Sequence, residues 1–125
     1  MQFTLQLHPW DLSVIKLDLP AFDSIGASEI MAFSLTPTEC SAVCETHCVP
    51  DHVIERRDGW RCISVAEAMD LTVVGVLAGI TAALANAGIN LFAFSTFDTD
   101  YILMPATREG EAVAALKAAG YAFTE

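Results

Sequence analysis

Apolar and polar residues alternate at the start of the chain, with Phe3, Leu5 and Leu7 set against Thr4, Gln6 and His8. A period of two predicts a half-buried strand. Ile15, Leu17 and Leu19 against Lys16 and Asp18 repeat the pattern, and His8-Pro9-Trp10-Asp11 reads as a turn between them, so a hairpin is expected. Residues 20–28 are loop-like and 29–35 read as a third strand. Thr36-Pro37-Thr38-Glu39 carries the signature of a helix start, with Thr36 as N-cap, Pro37 in the first turn and Glu39 reaching back. That helix is predicted to run to about His47. Residues 53–55 suit a short strand, and Arg57-Asp58-Gly59 a turn.

The second half has the clearer pattern. A strand over 60–65 precedes a helix over 73–87, whose bulky residues Val73, Val76, Leu77, Ile80 and Leu84 form one stripe. Gly88 is its stop. Residues 89–95 read as a strand, Phe97-Asp98-Thr99 as a turn and 100–104 as the returning strand. A helix over 109–119 follows, with Ala112, Val113, Leu116 and Ala119 as its stripe and Gly120 as its stop. Tyr121-Ala122-Phe123 closes as a last strand. The order is β-α-β-β-α-β, the ferredoxin-like arrangement of the α+β class, with both helices on one face of an antiparallel sheet. The first half, β-β-β-α-β, looks like the same unit with its first helix lost. Residues 1–58 are therefore expected to form a truncated module and 59–125 a complete one.

Composition narrows the function. The chain has 125 residues, 54% of them apolar, and a net charge of −10. That charge argues against nucleic acid or anionic lipid as a partner. No basic cluster offsets it, because Arg56, Arg57 and Arg61 sit among Glu55, Asp58 and Glu67. Residues 71–97 carry no charge, a stretch long enough to span a bilayer. The single bulky stripe, the stop at Gly88 and the absence of nearby Lys or Arg instead predict a buried helix followed by a buried strand. The N-terminus alternates and lacks a basic n-region, so a signal peptide is not expected there. A soluble, cytoplasmic protein with no membrane partner is expected.

Little of the sequence suggests reaction chemistry. Cys40, Cys44 and Cys48 recur every four residues with His47 and His52 nearby. The spacing is wrong for paired C-x-x-C zinc knuckles, and packing on one side of the first helix is the preferred reading. Cys62 is read the same way. Asp98 and Asp100 alone are a thin oxygen shell for a metal ion. Asp98-Thr99-Asp100 also suits a hairpin turn. Gly75 and Gly79 lack a phosphate-binding loop around them and are read as close helix–sheet packing. Ser95 or Cys62 as nucleophile would need a base, yet the histidines (His8, His47 and His52) all lie in the first half, and His8 is read as a solvated strand end. No enzyme, metal or cofactor is expected.

Three strings resemble the ACT domain family: Gly75-Val-Leu-Ala-Gly-Ile, Leu84-Ala-Asn-Ala-Gly-Ile-Asn and Phe94-Ser-Thr-Phe-Asp-Thr-Asp-Tyr-Ile-Leu-Met. The likeness is to the small bacterial tandem-ACT proteins related to the cytosolic arginine-sensor family of animals. It covers about 60–123, and extends loosely upstream through Phe33-Ser-Leu-Thr-Pro-Thr-Glu and Val49-Pro50. It implies an ACT domain preceded by a truncated ACT-like module. It also implies a regulatory sensor that holds an amino acid between modules or subunits. The implied ligand-binding residues are Val74, Gly75 and Val76 at the loop into the helix, faced by Thr96, Phe97 and Asp100. Val73 stands where the resemblance implies an acidic residue in relatives, a departure that weakens the case for a cationic ligand such as arginine. A homodimer and an unknown regulated protein are the partners implied. The alternative is a ligand-free oligomerisation or protein-interaction module.

Overall fold

The computed structural model describes residues 3–18, 22–67 and 75–124. Among these residues there are seven strands: β1 Thr4–Leu17, β2 Met31–Leu35, β3 Cys40–Glu45, β4 Glu55–Val65, β5 Phe92–Ser95, β6 Asp100–Pro105 and β7 Ala122–Phe123. The α-helices among the described residues are α1 Val76–Asn86 and α2 Glu109–Ala118. The fold is α+β, and β4-α1-β5-β6-α2-β7 is the expected β-α-β-β-α-β order.

The chain divides into two compact units. One spans Trp10–Trp60, and the other contains the chain up to Pro9 and from Arg61 onwards. The division cuts two long strands, β1 and β4, at the Pro9-Trp10 and Trp60-Arg61 bonds. The expected turns at 8–11 and 57–59 therefore lie inside strands. Gly59 lies within β4 at φ 83°, a left-handed backbone that glycine adopts without strain.

In the unit built from both chain ends, the strand order is β7-β1-β4-β6-β5. The N-terminal segment of β1 sits between β7 and β4 and runs parallel to β7, with Leu5 opposite Phe123. The sheet presents Leu5, Ile63, Val65, Ile102 and Met104 to Ile80 and Leu84 of α1 and to Ala112 and Leu116 of α2. Alternation explains the choice of residues, since every second position on β4 and β6 faces the helices. Burying such side chains contributes roughly 1.5–3 kcal/mol each. Both helices end where expected. Gly88 and Gly120 adopt positive φ, with Ile89 N–H donating to Leu84 O and Tyr121 N–H to Leu116 O. These are the long bonds of the Schellman motif. Gly79 packs beneath Tyr121 rather than against the sheet, since a Cβ there would lie 2.6 Å from the Tyr121 hydroxyl.

In the unit Trp10–Trp60, β2 and β3 form an antiparallel hairpin, and β3 also pairs with β1 from Leu12↔Glu45 to Leu17↔Cys40. The predicted helix over 37–47 is thus overturned. Pro37 and Thr38 form a two-residue hairpin turn closed by Thr36 N–H donating to Glu39 O at 2.9 Å. Proline suits such a turn as well as it suits a helix start. Pairing on both edges then fixes Cys40–Glu45 as a central strand. The core consists of Ile15, Leu17, Ile25, Cys40, Ala42, Cys44 and Cys48. The cysteines are core residues, but Cys40 and Cys44 share a strand face and Cys48 lies in the 3-10 turn Thr46–Cys48.

Candidate functional site

The β5–β6 hairpin carries three of the six expected site residues and is built from Ser95↔Asp100 pairing. Thr96 N–H donates to Thr99 O at 2.8 Å, and Thr96 Oγ1 accepts from Thr99 N–H at 3.3 Å. The Ser95 hydroxyl donates to the Asp100 carboxylate. Thr99 Oγ1 donates to the Val65 carbonyl at 3.1 Å, tying the turn to the end of β4. Phe97 stands at the tip, 80% exposed. Thr96, Phe97 and Asp100 are therefore brought together, with the Asp100 carboxylate half-buried beside the Ser95 hydroxyl.

Gly75 and Val76 sit on another element, at the start of α1. Gly75 is the N-cap, in the left-handed region at φ 83°, and supplies no side-chain cap to the helix. The first N–H groups of α1 thus point outward at the positive end of the helix dipole. Val76 turns its side chain toward the core, which leaves only its backbone for a ligand. Val74 lies outside the described residues, as does the expected helix start at Val73.

Other chemistry-bearing groups sit elsewhere. His8 is not a solvated strand end: it is 9% exposed, and its Nε2 lies 2.7 Å from Ser64 Oγ. Burial lowers its pKa below the usual histidine value. The polar reading of His8 followed from its place among Thr4 and Gln6. The signal that could have placed it is Ser64, a polar residue in the apolar strand 62–65. Burial also pushes the Cys44 thiol up to about 11 and the Cys62 thiol to about 12, so both are protonated and poor ligands or nucleophiles. Among the described residues no group of three His, Cys, Asp or Glu is placed to hold a metal ion. An open groove of about 450 Å³ lies beside Ser28, Glu29, Glu45 and His47. Its Glu45 carboxylate already accepts the Glu29 N–H at 2.6 Å. Among the described residues no helix is long and apolar enough to cross a membrane.

A β-α-β-β-α-β unit with both helices on one sheet face defines a ferredoxin-like α+β protein. A model of the ACT domain family matches residues 55–118, just over half of the chain, and the chain belongs to that family. This places it among small-molecule-binding regulatory domains. Among solved structures it is similar to a structural-genomics protein from Agrobacterium tumefaciens, with 22% identity and TM-score 0.87 over 99% of this chain and 93% of that one. A Vibrio cholerae protein of unknown function, described as a possible transport protein, follows at 21% identity and TM-score 0.74, over 92% and 88% of the two chains. The ligand-free regulatory subunit of aspartate kinase from Thermus thermophilus shares 13% identity and TM-score 0.67, over 96% and 99%. At these identities the structures show a common fold. No curated protein matches the chain significantly.

Proposed function

We propose that this chain is a non-catalytic sensor that binds a small amino acid and signals by conformation or assembly to another protein. The observation that carries the reading is the β5–β6 hairpin end, where a half-buried carboxylate adjoins an aromatic ring that the fold leaves in solvent. Asp100 accepts from the ligand ammonium, and Phe97 flanks its side chain. Thr96 lines the turn. The N–H groups of Val74, Gly75 and Val76 receive the carboxylate, with Gly75 leaving the backbone open to close approach. Each shielded charge-assisted bond contributes about 1.5–3 kcal/mol, enough in combination for micromolar to millimolar affinity. The reading includes a cytoplasmic location, a homodimer, and two modules over 1–58 and 59–125. A repeated detail supports the two modules. The hairpins β2–β3 and β5–β6 are closed by the same Thr N–H to carbonyl bond, at Thr36 and Thr96. Only the second carries a carboxylate at the following position, where the first has Cys40.

Titrating free amino acids into isotope-labelled protein tests the site. The expected result is chemical-shift change concentrated at 74–76 and 95–100. Shifts confined to other residues would reject the assignment.

A second reading is favoured by one feature. The edge strand β2 pairs with β3 alone among the described strands and leaves Phe33 45% and Leu35 61% exposed. An uncovered apolar edge invites pairing with another chain. Stability that depends on protein concentration and on no metabolite would favour this ligand-free interaction module.

A further inference from the structure

The hairpins β2–β3 and β5–β6 share one plan and differ in the ladder pair that precedes the turn. Thr36 N–H donates to Glu39 O at 2.9 Å across Pro37-Thr38, and Thr96 N–H donates to Thr99 O at 2.8 Å across Phe97-Asp98. The last pair before the turn is Leu35↔Cys40 in the first hairpin and Ser95↔Asp100 in the second. Both pairs lie on the core side of their hairpins. Cys40 is a core residue with Ile15, Leu17 and Ile25. Ser95 and Asp100 each stand two positions from Ala93 and Ile102, which pack with the helices. Equivalent places therefore hold a leucine and a buried thiol in one hairpin, and a hydroxyl and a carboxylate in the other.

We propose, on the ligand reading of the β5–β6 hairpin end, that Ser95 is a positioning residue for Asp100 and that this pair confines binding to one site per chain. The Ser95 hydroxyl carries one hydrogen, and it is directed at Asp100 Oδ1. Among the described residues this is the hydrogen bond that the carboxylate accepts, so Oδ2 remains an acceptor with its direction set in advance. A carboxylate that the ligand itself had to order would bind more weakly, because the ordering is then charged to the binding step.

The first hairpin offers no substitute. Its nearest carboxylate, Glu39, accepts from the Ser41 hydroxyl. Ser41 pairs with Ser34 and Lys16, on the face away from the core. The helix end is missing as well. Between β1 and β2 the described residues hold the 3-10 turn Phe22–Ser24 and no α-helix, whereas α1 follows β4 and presents its first N–H groups. An acceptor for an ammonium and a helix end for a carboxylate are thus both lacking in the same module.

The test titrates the standard amino acids, each in turn, into isotope-labelled full-length wild type, Ser95→Ala and Ser95→Thr. Wild type should show saturable shift changes at 95–100 that fit one site per chain, with none at 35–40. Ser95→Ala should bind about tenfold more weakly, the loss expected for a hydrogen bond to a charged group. Its thermal midpoint without ligand should stay unchanged, because Ser95 is exposed. Ser95→Thr keeps the hydroxyl and should restore the affinity, a rescue that a purely structural position would not show. With wild type saturating, a second site at 35–40, an alanine variant as tight as wild type, or a threonine variant as weak as the alanine one would overturn the proposal and leave the ligand reading standing. Wild type that shows no saturable shift with any amino acid would reject the ligand reading and the proposal together.

Discussion

The Ser13 hydroxyl shows how much one buried oxygen can organise. It is fully buried, donates to Asp58 Oδ1 at 2.6 Å and lies 2.9 Å from Thr46 Oγ1. Ser13→Ala is expected to cost about 1–2 kcal/mol by urea unfolding near neutral pH. The Ser13 hydrogen bond is also the leading reason that the Asp58 carboxyl lies below its usual pKa, with Arg56 adding to it. A depressed carboxyl stabilises the fold above its unfolded pKa of 3.8 and loses that effect as pH falls below it. The difference in stability between neutral pH and about pH 3 should therefore shrink in Ser13→Ala. A variant whose acid sensitivity equals that of wild type would contradict this coupling. Phe97 is the opposite case. Phe97→Ala should leave the thermal midpoint within error while weakening ligand binding, because the ring touches solvent rather than core.

At the scale of elements, the second half was legible because pattern and stop signals agree. The stripe through Ile80 and Leu84 faces the sheet, and Gly88 and Gly120 end the helices that the pattern predicts. Leu84→Ala should cost roughly 2–5 kcal/mol, as a cavity opens between α1 and the sheet. Gly75→Ala should cost about 1 kcal/mol through its left-handed backbone, since a Cβ there meets nothing within 4 Å. Chemical denaturation of both variants checks the ranking, and a Gly75→Ala as stable as wild type would remove the backbone argument. The first half misled for a physical reason. Cysteines four apart share a face in a helix and also in a strand, and Thr-Pro-x-Glu begins a helix or turns a hairpin equally well. What decided between them was β3 having β1 and β2 on its two sides, a long-range fact absent from any local window. The site followed the same divide. The hairpin residues Thr96, Phe97 and Asp100 were legible as a turn, whereas His8–Ser64 joins strands 56 positions apart.

At the scale of the molecule, the chain does not fold as two successive beads. The β1 segment before Pro9 completes the sheet of the unit formed by 61–125, lying between β7 and β4 with Leu5 buried among α1 and α2 residues. The compact units thus have boundaries different from those of the proposed modules 1–58 and 59–125. A fragment of residues 59–125 alone should lack a cooperative unfolding transition, and adding back the N-terminal segment should restore it. A fragment that melts cooperatively by itself would show that β1 is dispensable.

The central claim, that the hairpin end senses an amino acid, is tested most directly by thermal unfolding of wild type and Asp100→Ala against a panel of free amino acids. A ligand at about 100 times its dissociation constant adds roughly 2.7 kcal/mol, which moves the midpoint of a domain this size by several degrees. The account predicts such a rise with one amino acid class for wild type and none for Asp100→Ala, with equal midpoints in the absence of ligand. An equal rise in both proteins, or none in wild type with any amino acid, would contradict it.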